Sequence, residues 1–161
     1  MKLLGIILIF FSFACGGIIS GNRYILFLEE IKRAELLLKN IIFCLKKERM
    51  TVLEILDKCS VLCDEKTKDF LFGITPKNFT EIGKLAEKRN FCSEKNANYI
   101  LQEAFSVLGK YSAEDQISEL EFCRKKLENL YLKNEEKFIS KARLLKNSGF
   151  LAGAFFVIIL V

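Results

Sequence analysis

The chain has 161 residues, with 25 basic and 20 acidic side chains, a formal net charge of +5 and no histidine. Without histidine there is no Ser-His or Cys-His nucleophile pair and no ordinary general base near neutral pH. No glycine-rich phosphate loop is present either, because the glycines gather mainly in the apolar ends. The composition therefore reads as that of a non-enzyme, with no catalytic residue to nominate.

Charge is distributed very unevenly along the chain. Leu3 to Ser20 is uncharged, Phe150 to Val161 is uncharged, and Arg23 to Lys146 holds all 20 acidic residues and all but one of the 25 basic ones. A bilayer core about 30 Å thick needs roughly 20 apolar residues of helix. The first segment meets that length, so residues 1–21 are expected to form an N-terminal membrane helix. The alternative is a cleaved signal peptide, since Ser12-Phe13-Ala14-Cys15 has the outline of a lipoprotein cleavage site. Phe13 is too bulky for such a site, and the apolar stretch continues through Ile18 and Ile19.

Residues 22–147 read as an all-α module of about five helices, with no β-branched alternation long enough for a strand. The first helix is expected to continue out of the membrane segment through Ile25, Leu28, Ile31, Leu36, Leu38 and Ile42 to about Lys47. Thr51 and Glu54 form a capping-box pattern, opening a second helix with Leu53, Leu56, Cys59, Cys63 and Phe70 on one face. Thr75-Pro76 places a proline in a helical first turn. Ser93 is the expected start of a fourth helix carrying Ala97, Ile100, Leu101, Ala104, Phe105 and Leu108, and Gly109 the stop signal after it.

Ser112 opens the last helix, with Glu114 and Asp115 at its positive end. Ile117, Leu120, Cys123, Leu127, Leu130, Phe138, Ala142 and Leu145 step mostly by three and four, and no breaker intervenes before Gly149. The helix is therefore expected to feed directly into the C-terminal membrane segment, residues 148–161. A long helix packed antiparallel on the first is the expected arrangement, with a protruding coiled-coil-like stalk as the alternative. The C-terminal run is shorter than the first; it spans if its helix begins near Asn147 and the bilayer thins or the helix sits shallow.

The flanks set an orientation. Arg23, Lys32, Arg33, Lys39, Lys133, Lys137, Lys141, Arg143 and Lys146 lie on the inner side of the two segments, against Lys2 alone outside. Basic flanks stay on the cytoplasmic side, so the module is expected to be cytoplasmic, on a cell membrane. Gly17-Ile18-Ile19-Ser20-Gly21 and Gly149-Phe150-Leu151-Ala152-Gly153 are both small-xxx-small patterns. Gly17, Gly21, Gly149 and Gly153 are accordingly the residues expected to pack the two membrane helices as a hairpin.

No metal or cofactor is expected. Cys59 and Cys63 are four apart, but there is no CxxC, and an odd five cysteines in the module argue against a disulfide scaffold. Buried packing is the expected role of these thiols. Basic residues alternate with acidic ones, which makes a solvated helical face rather than a nucleic-acid surface. No nucleic acid or small-molecule substrate is expected; attraction of the flanking lysines to membrane lipids is. Glu114, Asp115, Gln116 and Glu119, at the start of the last helix, are the candidate contacts for a protein partner; the alternative is that they cap the helix.

Three stretches carry a resemblance: Lys2-Leu3-Leu4-Gly5 ahead of the apolar segment, Leu108-Gly109 with Ser112, Glu114, Asp115 and Gln116, and Gly149-Phe150-Leu151-Ala152-Gly153 with Phe155 to Leu160. Together they resemble the stage III sporulation protein AB family of endospore-forming bacteria over the full length. That family is similar to the helical cytoplasmic domains of type II secretion F platform proteins. The resemblance implies a non-enzymatic subunit of the secretion-like complex in the mother-cell membrane around the forespore. Its implied partners are a cytoplasmic secretion-type ATPase and other membrane subunits. A generic membrane-tethered helical scaffold or signalling adaptor is the alternative.

Overall fold

A computed structural model describes residues 2–48, 50–74 and 82–160. Among the described residues the chain is all-α, with helices α1 (Lys2–Glu48), α2 (Val52–Leu62), α3 (Glu65–Ile74), α4 (Ile82–Lys88), α5 (Lys95–Val107) and α6 (Ala113–Leu160). The expected helical turn at Thr75-Pro76 lies outside the described residues. Two compact units result: a terminal unit of Met1–Leu28 with Lys133–Val161, and a central unit of Glu29–Leu132. Both α1 and α6 contribute to each, as single uninterrupted helices. These two helices are also the ones long and apolar enough to cross a membrane.

The central unit is closed around one apolar cluster. Ile31, Leu37, Leu38 and Ile41 of α1, Ile55 and Leu56 of α2, Leu71 of α3, Leu101 and Phe105 of α5, and Leu120 and Leu127 of α6 are buried in it. On α1 this face repeats at helical period, which is why a helix with so many lysines can still sit in a core. Phe70 meets Phe105 edge-on at 5.6 Å and Phe91 at 5.0 Å, joining α3 to α5 and its leading loop.

Helix ends follow the local chemistry. At Thr51 the capping box forms fully: its hydroxyl accepts from the Glu54 N–H, and the Glu54 carboxylate accepts from the Thr51 N–H at 2.7 Å. Gly109 ends the α5 region at φ 77°, a left-handed conformation that glycine adopts at low cost. Two expectations need correction. Phe70 is not on the helix of Leu56 and Cys59, because α2 stops at Leu62, and Asp64 starts α3 by accepting from the Thr67 hydroxyl and the Lys68 N–H. Glu94 rather than Ser93 caps α5, its carboxylate accepting from the Ala97 N–H at 2.7 Å.

Two carboxylates lie on the buried side of α1. Glu35 accepts from Lys32 at 2.6 Å and from Arg124 of α6 at 3.3 Å. Glu30 accepts from the Ser93 N–H at 2.6 Å and pairs with Lys66 of α3. Nearby, Asn98 accepts from the Cys92 N–H at 2.7 Å and donates to the Cys92 carbonyl, fixing the loop that leads into α5. Burial works to raise the Glu30 carboxyl, but the Lys66 ammonium and the Ser93 N–H outweigh it and hold the group below its ordinary 4.5. A lowered carboxyl stabilises the fold above that ordinary value, and the contribution is lost as pH falls through the lowered one. Glu30→Gln is expected to cost about 1–2 kcal/mol at neutral pH, since one partner, Lys66, is half in solvent. Denaturation of the full chain in detergent should also show a shallower loss of stability below about pH 4.5 in the variant than in the wild type; parallel pH curves would show that Glu30 does not carry that dependence.

Candidate interaction surfaces

In the terminal unit α1 and α6 pack against each other through glycine. A Cβ placed on Gly17 would lie 2.8 Å from the Gly149 Cα and 2.7 Å from the Leu145 carbonyl oxygen. A Cβ on Gly149 would meet the Gly17 Cα and the Phe13 carbonyl oxygen, each at 2.8 Å. No side chain fits between backbones that close. The other two glycines of the patterns do not meet each other: Gly21 faces the Ala142 carbonyl and the Lys146 stem, and Gly153 faces Phe10. Phe13 stacks on Phe156 at 4.8 Å, and Phe10 lies 6.3 Å from Phe150. Nearer the loops, Tyr24, Phe27 and Phe138 form an edge-on aromatic cluster with Lys141 over the Tyr24 ring. The pairing is thus antiparallel throughout.

The second surface is at the α5–α6 turn. Gln116 is only 7% exposed. Its side-chain carbonyl accepts from the Gly109 N–H at 3.1 Å, and its amide donates to the Tyr111 carbonyl at 2.6 Å. Both ends of the amide are spent inside the turn, so Gln116 holds the turn shut rather than facing outward. Asp115 and Ser112 cap α6 reciprocally, the hydroxyl donating to the carboxylate at 2.6 Å and accepting from the Asp115 N–H at 3.3 Å. Glu114 and Glu119 are exposed and make no ion pair among the described residues. Glu103, Val107, Tyr111, Asp115 and Glu119 line an open acidic groove of about 430 Å³. Lys126 pairs with Glu103 there at 2.8 Å and caps the Phe122 ring at 4.4 Å.

Three thiols, Cys59, Cys92 and Cys123, are packed into the core of the central unit. Burial pushes Cys59 and Cys92 up to about 12 and Cys123 up to about 11, which keeps all three protonated at neutral pH. Among the described residues no group of three or more histidine, cysteine or carboxylate side chains could hold a metal ion. The Glu30–Lys66–Ser93 junction was not anticipated. Its one sequence signal is position: Glu30 adjoins Ile31 and lies four residues before Ala34, on the face of α1 that the apolar pattern assigns to the interior.

Substituting Gly17 or Gly149 by valine should force α1 and α6 apart, at a cost of about 1–3 kcal/mol. Gly16→Val is the control, because a Cβ there meets nothing within 4 Å. Cysteines at Phe13 and Phe156, in a background without native cysteines, should be bridged by a short thiol crosslinker in the parent and in the Gly16 variant, but poorly in the other two. Equal bridging in all four would show that the glycine contact does not hold the pair.

No curated protein and no solved structure matches the chain. Residues 2–161, a span that takes in the paired apolar helices, the helical central unit and the α5–α6 turn, match the family described as stage III sporulation protein AB. The chain belongs to the stage III sporulation protein AB family, and its role is in stage III of sporulation.

Proposed function

We propose that the protein is a non-enzymatic platform or adaptor subunit of a secretion-like complex between mother cell and forespore. Residues 1–21 and 148–161 anchor it in the mother-cell membrane, and residues 22–147 form a cytoplasmic helical domain that couples a secretion-type ATPase to the other membrane subunits. The whole-chain family match carries this reading. Three further features support it. Two apolar helices at opposite ends of the chain pair through a glycine contact. The nine basic flanking residues favour a cytoplasmic central module. Burial holds the Cys59, Cys92 and Cys123 thiols protonated, which suits them to packing.

The partner face in this reading is the acidic groove beside the α5–α6 turn, with Asp115 and Glu119 among its carboxylates and the exposed Glu114 at the adjoining start of α6. Gln116 acts indirectly there, by fixing the turn. Crosslinking of the tagged full chain in sporulating cells should capture a secretion-type ATPase and membrane subunits of the same complex. Charge reversal at Asp115 and Glu119 should remove the ATPase from that set and block sporulation, with helix content and protein level unchanged. Retention of the ATPase by the reversed variant would rule out the groove; its absence from the wild-type capture would rule out the coupling role.

A further inference from the structure

The terminal unit carries a belt of cations set apart from its two acidic residues, Glu135 and Glu136, which precede Lys137 on α6. Residues 22–28 and 137–148 contain Arg23, Lys137, Lys141, Arg143 and Lys146 and not one aspartate or glutamate. None of the five has an ion-pair partner among the described residues, and all but Lys146 are exposed. The antiparallel pairing of α1 and α6 gathers them at one level. Gly21 faces Ala142 and Lys146, while Tyr24 meets Lys141 and Phe138. Arg23 and Arg143 therefore fall within the same short band of the pair, and Lys137 lies one turn of α6 beyond Lys141.

This band coincides with the end of the apolar stretch. Leu4–Ser20 covers about 25 Å of helix and Asn147–Leu160 about 21 Å, both short of a core about 30 Å thick. The hydrocarbon boundary is thereby drawn up to the Tyr24–Lys141 level, where Tyr24, Phe27 and Phe138 cluster. Aromatic rings of this kind favour the interface between hydrocarbon and headgroups. Lys146 starts below that level, with its stem lying along the bare backbone of Gly21. Long basic side chains so placed extend their charge toward the headgroups.

We propose that this belt is a binding site for anionic phospholipid headgroups, selecting them over zwitterionic lipid around the paired helices. The inference rests on the reading that α1 and α6 cross the bilayer. Unpaired cations at a membrane surface attract anionic lipid, and salt screens the attraction over about 10 Å at 0.1 M. A ring of five on two touching helices concentrates that attraction on the few lipids next to the protein. The aromatic cluster fixes the depth at which those lipids sit.

The test uses the full chain reconstituted in phosphatidylcholine vesicles with a trace of spin-labelled lipid, either phosphatidylglycerol or phosphatidylcholine. Electron spin resonance reads the motionally restricted fraction, the lipid held at the protein surface. Phosphatidylglycerol should be restricted at least about 3-fold more strongly than phosphatidylcholine at low salt, with the preference fading at about 1 M salt. The variant Lys137→Gln, Lys141→Gln, Arg143→Gln, Lys146→Gln should restrict both lipids equally while still floating with the vesicles. Equal restriction of the two lipids by the wild type would overturn the proposal and leave the membrane reading standing; it is also the result expected if the belt faces an acidic protein instead. A preference that survives the fourfold variant would overturn it as well. If no lipid is restricted and the wild-type chain does not float, the membrane reading fails and the belt falls with it.

Discussion

The contact of Gly17 with Gly149 is the constraint from which the terminal unit is built. With no Cβ on either residue at that point, the two backbones touch, and a side chain on either would push α1 and α6 apart. Their packing brings Phe13 to Phe156 on one side of the contact, and Tyr24 to Phe138 and Lys141 on the other. In lipid, where burying leucine against leucine gains little over burying it against acyl chains, such close packing is the main source of helix association. The exposed faces of both segments, with Leu4, Leu8, Phe11 and Ile19 on one and Leu151, Phe155 and Ile158 on the other, are then suited to an apolar surrounding.

The central unit is held by a different force. Its cluster is continuous from α1 to α6 and follows the ordinary rule that apolar faces of helices leave water together. What distinguishes it is the treatment of charge. Glu30 and Glu35 sit on the buried side of α1, and each is bound by a partner from a distant helix, Lys66 of α3 and Arg124 of α6. Burying an unpaired carboxylate would be costly, so these two pairs favour one mutual placement of three helices over any apolar slip between them. Buried polar atoms are otherwise satisfied: among the described residues no buried side-chain nitrogen or oxygen lacks a partner.

Much of this was legible in the sequence wherever the cause is local. The capping box at Thr51, the stop at Gly109 and the continuity of α6 into its apolar end depend on residues within a few positions of each other, and all three are found as read. The start of α5 differs from the reading for a non-local reason: Ser93 is held through both its N–H and its side chain by Glu30, 63 residues earlier, and Glu94 caps the helix one residue later. The α2–α3 break is hidden because the apolar spacing runs on past Cys63, while Asp64 accepts from the Thr67 hydroxyl and, through its carbonyl, from the Lys68 N–H at the start of a new helix. The glycine patterns marked the right helices but not the register. Only two of the four glycines meet, because the pairing is set jointly with Phe10, Ala142 and Lys146. At the α5–α6 turn, Gln116 reads as an exposed polar residue and is instead consumed by backbone groups at Gly109 and Tyr111.

The contribution of α6 to the central cluster has a consequence for synthesis. Leu120, Cys123 and Leu127 close a core whose other walls come from α1 to α5. The ion pairs that seat α6 reach back 75 residues from Glu121 to Lys46 and 89 from Arg124 to Glu35. Contacts of that span form late, because the intervening chain must first be ordered. During translation the first apolar helix can therefore enter a membrane while the half-built bundle still presents an open greasy seam. Until α6 emerges and docks, that seam is a natural substrate for chaperones and quality-control proteases.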